Sequence, residues 1–503
     1  MYSEPVVTIS PVQTCLKIGL MAGITALLGW FANRVGIAPG PLPVVAVCTF
    51  VGVICTTLFF WTHRVAVAFL GVAVLIGSRA MTLHGMLRAT ELDIILFLVG
   101  MMIIVGALKD LGFLTWVIQS ILNKKRMTGP TFALILCGLS ALLSSVVDEV
   151  SSIVVVLALV FQVCDTLKIR STPFVLMAVL CTNIGSAATM LGNPVGIYIG
   201  NKAGFTFSQF LAGATPVACV ALIATTAIVT LWYRKDIHAM TVAINEHREQ
   251  HQGLGPLIRI PYRRGLFVLL ATVLIIAFHH QIENILGLSG VENKNAFLII
   301  TPLIIAGLLM IYRPHRARHY VEHDVEWWTL LFFMLLFAIA GGLEEQGITR
   351  NLADKLRVLS KDGPHAMLPF VITLTSLGSA FIDNIVFVAA FTPVIQNLVE
   401  RAAEYSLLWW AMLFGACFGG NITAVGSTAN IVALGMLERR GHAHIGFFEW
   451  LKIGSVVGLI AGLIAWGMLS LMPMPAPAVR HRSASGIQGP LHEPHLSPAN
   501  AAP

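Results

Sequence analysis

Charge is what this sequence has least of. Only 11% of its 503 residues are Asp, Glu, Lys or Arg, against 56% hydrophobic ones, where a soluble domain carries about 25% charged residues. A water-soluble globule of this length would have too little polar surface to cover its apolar atoms, so the composition points to an all-α integral membrane protein. The eight cysteines never fall in C-x-x-C spacing, which argues against zinc ribbons and dithiol redox motifs and leaves them as small packing residues. No stretch matches G-x-x-x-x-G-K-[ST], so nothing suggests ATP hydrolysis. No nucleophile–base pair stands out, and the chain reads as a non-enzyme with no resident cofactor. The net charge of +7 is spread through short loops between apolar runs, as the positive-inside rule places Lys and Arg. It forms no nucleic-acid-binding patch. The N-terminus lacks a basic leader region and a clear cleavage site, so 15–32 reads as a retained helix.

What is present is a series of apolar runs, each near the roughly 20 residues that span a bilayer. Candidate spans are 15–32, 43–60, 64–78, 92–108, 173–200, 209–233, 265–282, 296–312, 327–343, 407–436 and 448–472, about 11 in all. The expected organisation is an N-terminal segment over 1–40, a first repeat over 41–233, a cytoplasmic loop over 234–264, a second repeat over 265–472, and a disordered tail over 473–503. Trp327–Trp328 and Trp409–Trp410 read as interfacial anchors, and His279 and His280 as interfacial residues.

Two apolar regions, about 130–165 and 365–399, carry acids near their middles. In "SSVVDEVSSIVVV", Asp148 and Glu149 sit between long uncharged runs. Ionised carboxylates there cost several kcal/mol each, roughly, unless something compensates them. Basic clusters at Lys124–Arg126 and at Lys168 and Arg170 flank the first region on both sides. That pattern predicts a re-entrant hairpin with its tip near Asp148.

The second half repeats these features. "SSVVDEVSSIVVV" recurs as "GSAFIDNIVFVAA" and "NIGSAATMLGNPVG" as "NITAVGSTANIVAL". Asp148 matches Asp383, Asn183 matches Asn421 and Asn193 matches Asn430, at spacings of 235, 238 and 237 residues. Repeats with hairpins and interrupted helices, the second copy inverted, are a common plan for secondary transporters. The carboxylates of Asp148, Glu149 and Asp383 offer oxygen ligands to a hard cation or cycle protons, with the transported cation expected at Asp148 and Asp383. Gly and Pro around Asn183, Gly192–Asn193, Asn421 and Gly426–Asn430 interrupt the spans at 173–200 and 407–436, so that amides and hydroxyls become neutral ligands.

At these residues the sequence resembles the ion-transporter superfamily of ArsB/NhaD-type permeases, sodium-coupled carboxylate symporters and the melanosomal P protein. The likeness covers about 90–235 and 325–472 and is most specific in "LSSVVDEVSSIVVVLALVF" and "GACFGGNITAVGSTANIVALGMLERRG". It implies two inverted repeats, each with a re-entrant hairpin and a broken helix, a substrate site between them, and often a homodimer. The hairpin motifs fall on Asp148, Glu149 and Ser151, then Asp383 and Asn384. The broken-helix motifs fall on Asn183, Thr189, Gly192 and Asn193, then Asn421, Thr423, Gly426, Ser427 and Asn430. The carboxylate symporters carry Ser-Asn-Thr at both hairpin tips. Neither tip here does, and acids there would repel an anionic substrate.

The expected function is therefore secondary active ion transport in the cell (inner) membrane, with Na⁺/H⁺ exchange foremost. Arsenite efflux, sodium-coupled di- or tricarboxylate uptake and an uncoupled ion or anion pathway are the alternatives. The expected partners are an inorganic ion or small anion, the lipid bilayer and a second copy of the chain, with Na⁺ or H⁺ as coupling ion and no nucleic acid.

Overall fold

A computed structural model of the chain describes residues 11–122, 127–249, 261–285, 296–359, 364–440 and 445–472. Lys124–Arg126 and the 473–503 tail lie outside the described residues. The described residues form helices and turns with no strand among them. Six helices come first: α1 (Pro11–Arg34), α2 (Pro41–Phe59), α3 (Arg64–Gly77), α4 (Leu83–Ala89), α5 (Leu92–Asp110) and α6 (Phe113–Leu122). The first acidic region is α7 (Gly129–Val146) and α8 (Glu149–Leu167). The first interrupted span is α9 (Thr172–Ser186) and α10 (Pro194–Ala203), and α11 (Phe207–Trp232) closes that half.

The segment expected as a polar loop instead carries a helix, α12 (Arg234–Glu249). Its Ile237, Met240 and Ile244 are buried against the first half, a spacing that puts three apolar side chains on one helical face. The second half holds α13 (Arg263–Ala277), α14 (His279–Ile285), α15 (Ala296–Tyr312), α16 (Pro314–His319), α17 (Trp327–Glu345) and α18 (Ile348–Leu359). Its acidic region is α19 (Pro364–Phe381) and α20 (Asn384–Arg401). Its interrupted span is α21 (Leu407–Gly419) and α22 (Thr428–Arg439), followed by α23 (Phe447–Leu471).

Among the described residues eight helices are long and apolar enough to cross a membrane, or nine if α13 and α14, bent by 64°, form one span. The arms α7 and α8 are among the eight. They form a hairpin in space, because both pack against α12. At its start, Gly129 N donates to Thr241 Oγ1 at 3.1 Å, and Arg248 Nη2 reaches Met127 O at 2.9 Å.

The two halves interlock. α8 packs on α22 and α10 on α20, so each hairpin touches the interrupted helix of the other half, and α9 meets α21 directly. Three residues read as interfacial are buried instead. Trp409 and Trp410 lie inside, Trp410 stacking on Phe205 at 4.6 Å. His279 is also buried, its Nδ1 2.8 Å from Ile276 O at the bend between α13 and α14. Local sequence gave a polar tip next to apolar neighbours, and tertiary packing decided where that tip went.

Candidate functional site

The chain breaks its helices at the acids because the acids cap the next helix. Asp148 has extended backbone, and its Oδ1 accepts from Ser151 N at 2.7 Å at the start of α8. Asp383 does the same for α20, with Oδ1 accepting from Ile385 N at 3.2 Å and Oδ2 from Thr428 Oγ1 at 2.5 Å. Asn193 caps α10 by accepting from Gly196 N at 2.7 Å, with Pro194 in the first turn, where its missing N–H costs nothing. Ser427 caps α22 through Ala429 N at 3.2 Å.

These caps revise the register of the repeat. Gly185, Thr189, Gly192 and Asn193 correspond to Gly419, Thr423, Gly426 and Ser427 at a constant spacing of 234 residues. Thr189 Oγ1 donates to Ser145 O and Thr423 Oγ1 to Ala380 O, each tying an unwound segment to its own hairpin. A Cβ on Gly185 would collide with the backbone of Ala141, and one on Gly419 with that of Ser376. Gly192 and Gly426 likewise lie against the carbonyls of Ser186 and Gly420. The pairing of Asn183 with Asn421 and of Asn193 with Asn430 is thereby corrected. Matching like letters shifted the register by three or four residues, whereas the close backbone contacts fix it.

The asparagines bond one another across the two halves. Asn183 Nδ2 donates to Asn421 Oδ1 and to Asn430 Oδ1, both at 2.8 Å, and its Oδ1 accepts from Ser427 Oγ at 3.1 Å. Asn430 Nδ2 reaches Gly420 O at 2.8 Å and Thr423 O at 2.9 Å, closing the unwound turn. Asn421 Nδ2 reaches Leu180 O at 3.2 Å. This knot therefore works as a buried clasp. Asn430→Ala would strip partners from two buried carbonyls and from Asn183, at about 1–3 kcal/mol per orphaned group. It should lower the unfolding midpoint of the purified protein in detergent by several degrees; a midpoint equal to wild type would show that the clasp carries no stability.

Beside the clasp lies a cavity of about 130 Å³, room for several waters. Of the residues singled out above, Asp148, Glu149, Ser151, Asn193, Asp383 and Asn384 line it. Asn183, Thr189, Gly192, Asn421, Thr423, Gly426, Ser427 and Asn430 stand behind it as support. The first residues or caps of α8, α10, α20 and α22 all reach this cavity. Each helix start carries roughly half a positive charge, so Asp148 and Asp383 serve as built-in counter-ions.

Glu149 differs from both. It is 2% exposed, caps nothing, and its Oε2 finds no hydrogen-bond partner among the described residues.

Other residues at the cavity or just behind its wall carried no signal in the sequence. Lys109, at the end of α5, lies 3.6 Å from Asp324, and both line the cavity. Gly106 lets Asp324 approach α5, since a Cβ there would sit 2.6 Å from Asp324 Oδ2. Thr428 lines the cavity while bonding Asp383. Arg64 of α3 is buried, donates to Thr329 Oγ1 at 3.1 Å, and acts electrostatically on Asp383 and Glu326. Cys417 Sγ is 3.2 Å from Asn193 Nδ2. It occupies the position equivalent to Asn183.

Known transporters resemble this chain in sequence. The profile of the family described as "Citrate transporter" (CitMHS) matches residues 50–415. The uncharacterized transporter Rv2684 of Mycobacterium tuberculosis is 31% identical over 436 residues, covering 84% of this chain and 97% of that protein. The 46 kDa membrane protein of Mycobacterium leprae is 33% identical over 393 residues, covering 74% and 86%. The human P protein is 26% identical over 487 residues, covering 82% of this chain and 57% of its own length. Among solved structures, the Alcanivorax borkumensis YdaH transporter aligns with a TM-score of 0.47 at 15% identity, covering 82% of this chain and 88% of that one.

Proposed function

Because the chain belongs to the CitMHS citrate transporter family, it is a multi-pass membrane transporter, and we propose that it exchanges a small cation such as Na⁺ for H⁺ at the carboxylate cavity. The observation that carries this reading is Glu149, a buried carboxylate in the cavity wall with one oxygen unpartnered. Such a group is costly to leave charged and alone. A proton or a cation relieves that cost, and the two exclude each other at one oxygen. Competition of this kind is the minimum that an exchanger needs. Asp148 and Asp383 add negative charge, and Ser151, Asn193, Asn384 and Thr428 supply neutral oxygens, a donor set suited to a hard cation. In this reading the hairpins α7–α8 and α19–α20 are re-entrant, as in ArsB/NhaD-type permeases, and the protein resides in the cell membrane as a homodimer.

A second reading is coupled uptake of a carboxylate, favoured by the family's description, by Lys109 at the cavity and by Arg64 behind it on Thr329. Once protons or cations neutralise the acids, four helix starts and two basic side chains would favour an anion. Arsenite has less support, because three of the neutral amides it would use, Asn183, Asn421 and Asn430, are committed to one another.

A panel in proteoliposomes separates the readings: Na⁺, Li⁺, K⁺, arsenite, antimonite, citrate and succinate, each with and without a pH gradient. Na⁺ or Li⁺ is expected to dissipate the gradient while citrate stays outside. Citrate accumulation with no cation-driven proton movement would replace exchange by symport.

A further inference from the structure

Away from the carboxylate cavity, a recess of about 470 Å³ opens where α5 ends, α13 begins and α15 ends. Arg263, Arg264 and Arg313 line it, together with Tyr262 and Asp110. Neighbouring cations outside the recess have already taken the nearby acids. Arg316 grips Asp110 with two bonds of 2.7 Å, Arg318 holds Glu322 at 2.7 Å, and Lys109 lies beside Asp324. Among the described residues Arg264 bonds the neutral Tyr312 hydroxyl, at 2.9 Å, and Arg313 lies over the Tyr312 ring. None of the three lining arginines forms a salt bridge among the described residues. Helix α13 also starts here without a side-chain cap, which leaves amide donors and a partial positive charge at the same spot.

The surroundings identify the anion's source. α13 exposes Phe267, Leu270 and Leu274, and α15 exposes Ile304, Leu308 and Ile311, faces that suit acyl chains rather than water. At the level of the arginines Tyr262 stacks on Trp116 at 4.1 Å, an aromatic pair of the kind that marks the headgroup boundary. We propose that this recess binds the phosphodiester of an anionic phospholipid, with Arg263, Arg264 and Arg313 donating to its oxygens and the acyl chains lying along α13 and α15. Planar guanidinium groups suit phosphate oxygens, and basic pockets between membrane helices hold anionic headgroups.

The test measures binding of a spin-labelled phosphatidylglycerol to the full-length protein in phosphatidylcholine nanodiscs. Arg263→Gln, Arg264→Gln and Arg313→Gln should each weaken it about fivefold, and the triple variant on the order of a hundredfold. Arg318→Gln removes the same charge outside the recess and should change affinity less than about twofold. Inorganic phosphate at millimolar concentration should not displace the label. Wild-type affinity in the single variants would overturn the proposal. So would an equal loss in Arg318→Gln, which would mean a diffuse surface field, or displacement by inorganic phosphate, which would mean a soluble anion site. The single variants keep the test readable should the triple variant not fold.

Discussion

Glu149→Gln is expected to cripple coupled exchange while the protein still folds and inserts. Gln keeps the length and most of the volume of Glu, so the wall of the cavity keeps its shape. What it removes is the single oxygen at which proton and cation compete. Loss of a charged partner at a buried site is worth about 1.5–3 kcal/mol, so cation-driven proton flux in proteoliposomes should fall by one to two orders of magnitude, roughly. The unfolding midpoint should hold or rise, because Oε2 has no hydrogen bond to lose and burying a charge costs more than burying an amide. Wild-type flux in this variant would remove Glu149 from the mechanism and leave the two aspartates to account for coupling.

Asp148→Asn and Asp383→Asn should also stop exchange, by a different route. Asn caps a helix about as well as Asp, so α8 and α20 should still begin at the same residues. The double variant, however, removes both counter-ions from a cavity rimmed by four helix starts. It should weaken the site's hold on a cation while Glu149 stays in place, so proton-coupled cation flux should be lost. Wild-type transport, by contrast, should depend steeply on pH, because proton and cation compete at Glu149. The measurement is flux of Na⁺ against a pH gradient across pH 5–9, in wild type and double variant. Undiminished flux in the double variant would leave the aspartates as caps and nothing more.

Much of this site was legible in the sequence. The two acids stood out because long uncharged runs surround them, and their recurrence located both hairpins. Gly and Pro located both breaks, since each disrupts a helix by its own covalent structure. What could not be read was anything set by contact between distant segments. Glu149 looked weaker than Asp148 because its counterpart is Asn384, yet it is the acid with no capping duty. Arg64 and Lys109 looked like ordinary ends of spans, and only the fold brings Lys109 to the cavity wall and Arg64 onto Thr329. Trp409 and Trp410 misled for the same reason, as did the asparagine pairing.

That pairing has a consequence for how the chain came to be one chain. If two identical halves once associated, each would have met the other through equivalent residues. At the present register the residues equivalent to Asn421 and Asn430 in the first half are Ala187 and Gly196. Two copies of the first half, docked as the halves now dock, would press the Asn183 carboxamide against a methyl group and a hydrogen. The first half has thus given up the capacity to pair with itself, and the second half, with Cys417 in place of Asn183, has given it up too. Neither half holds both sides of the clasp. Co-expressed fragments split within the segment after α12 should reassemble only as one of each kind.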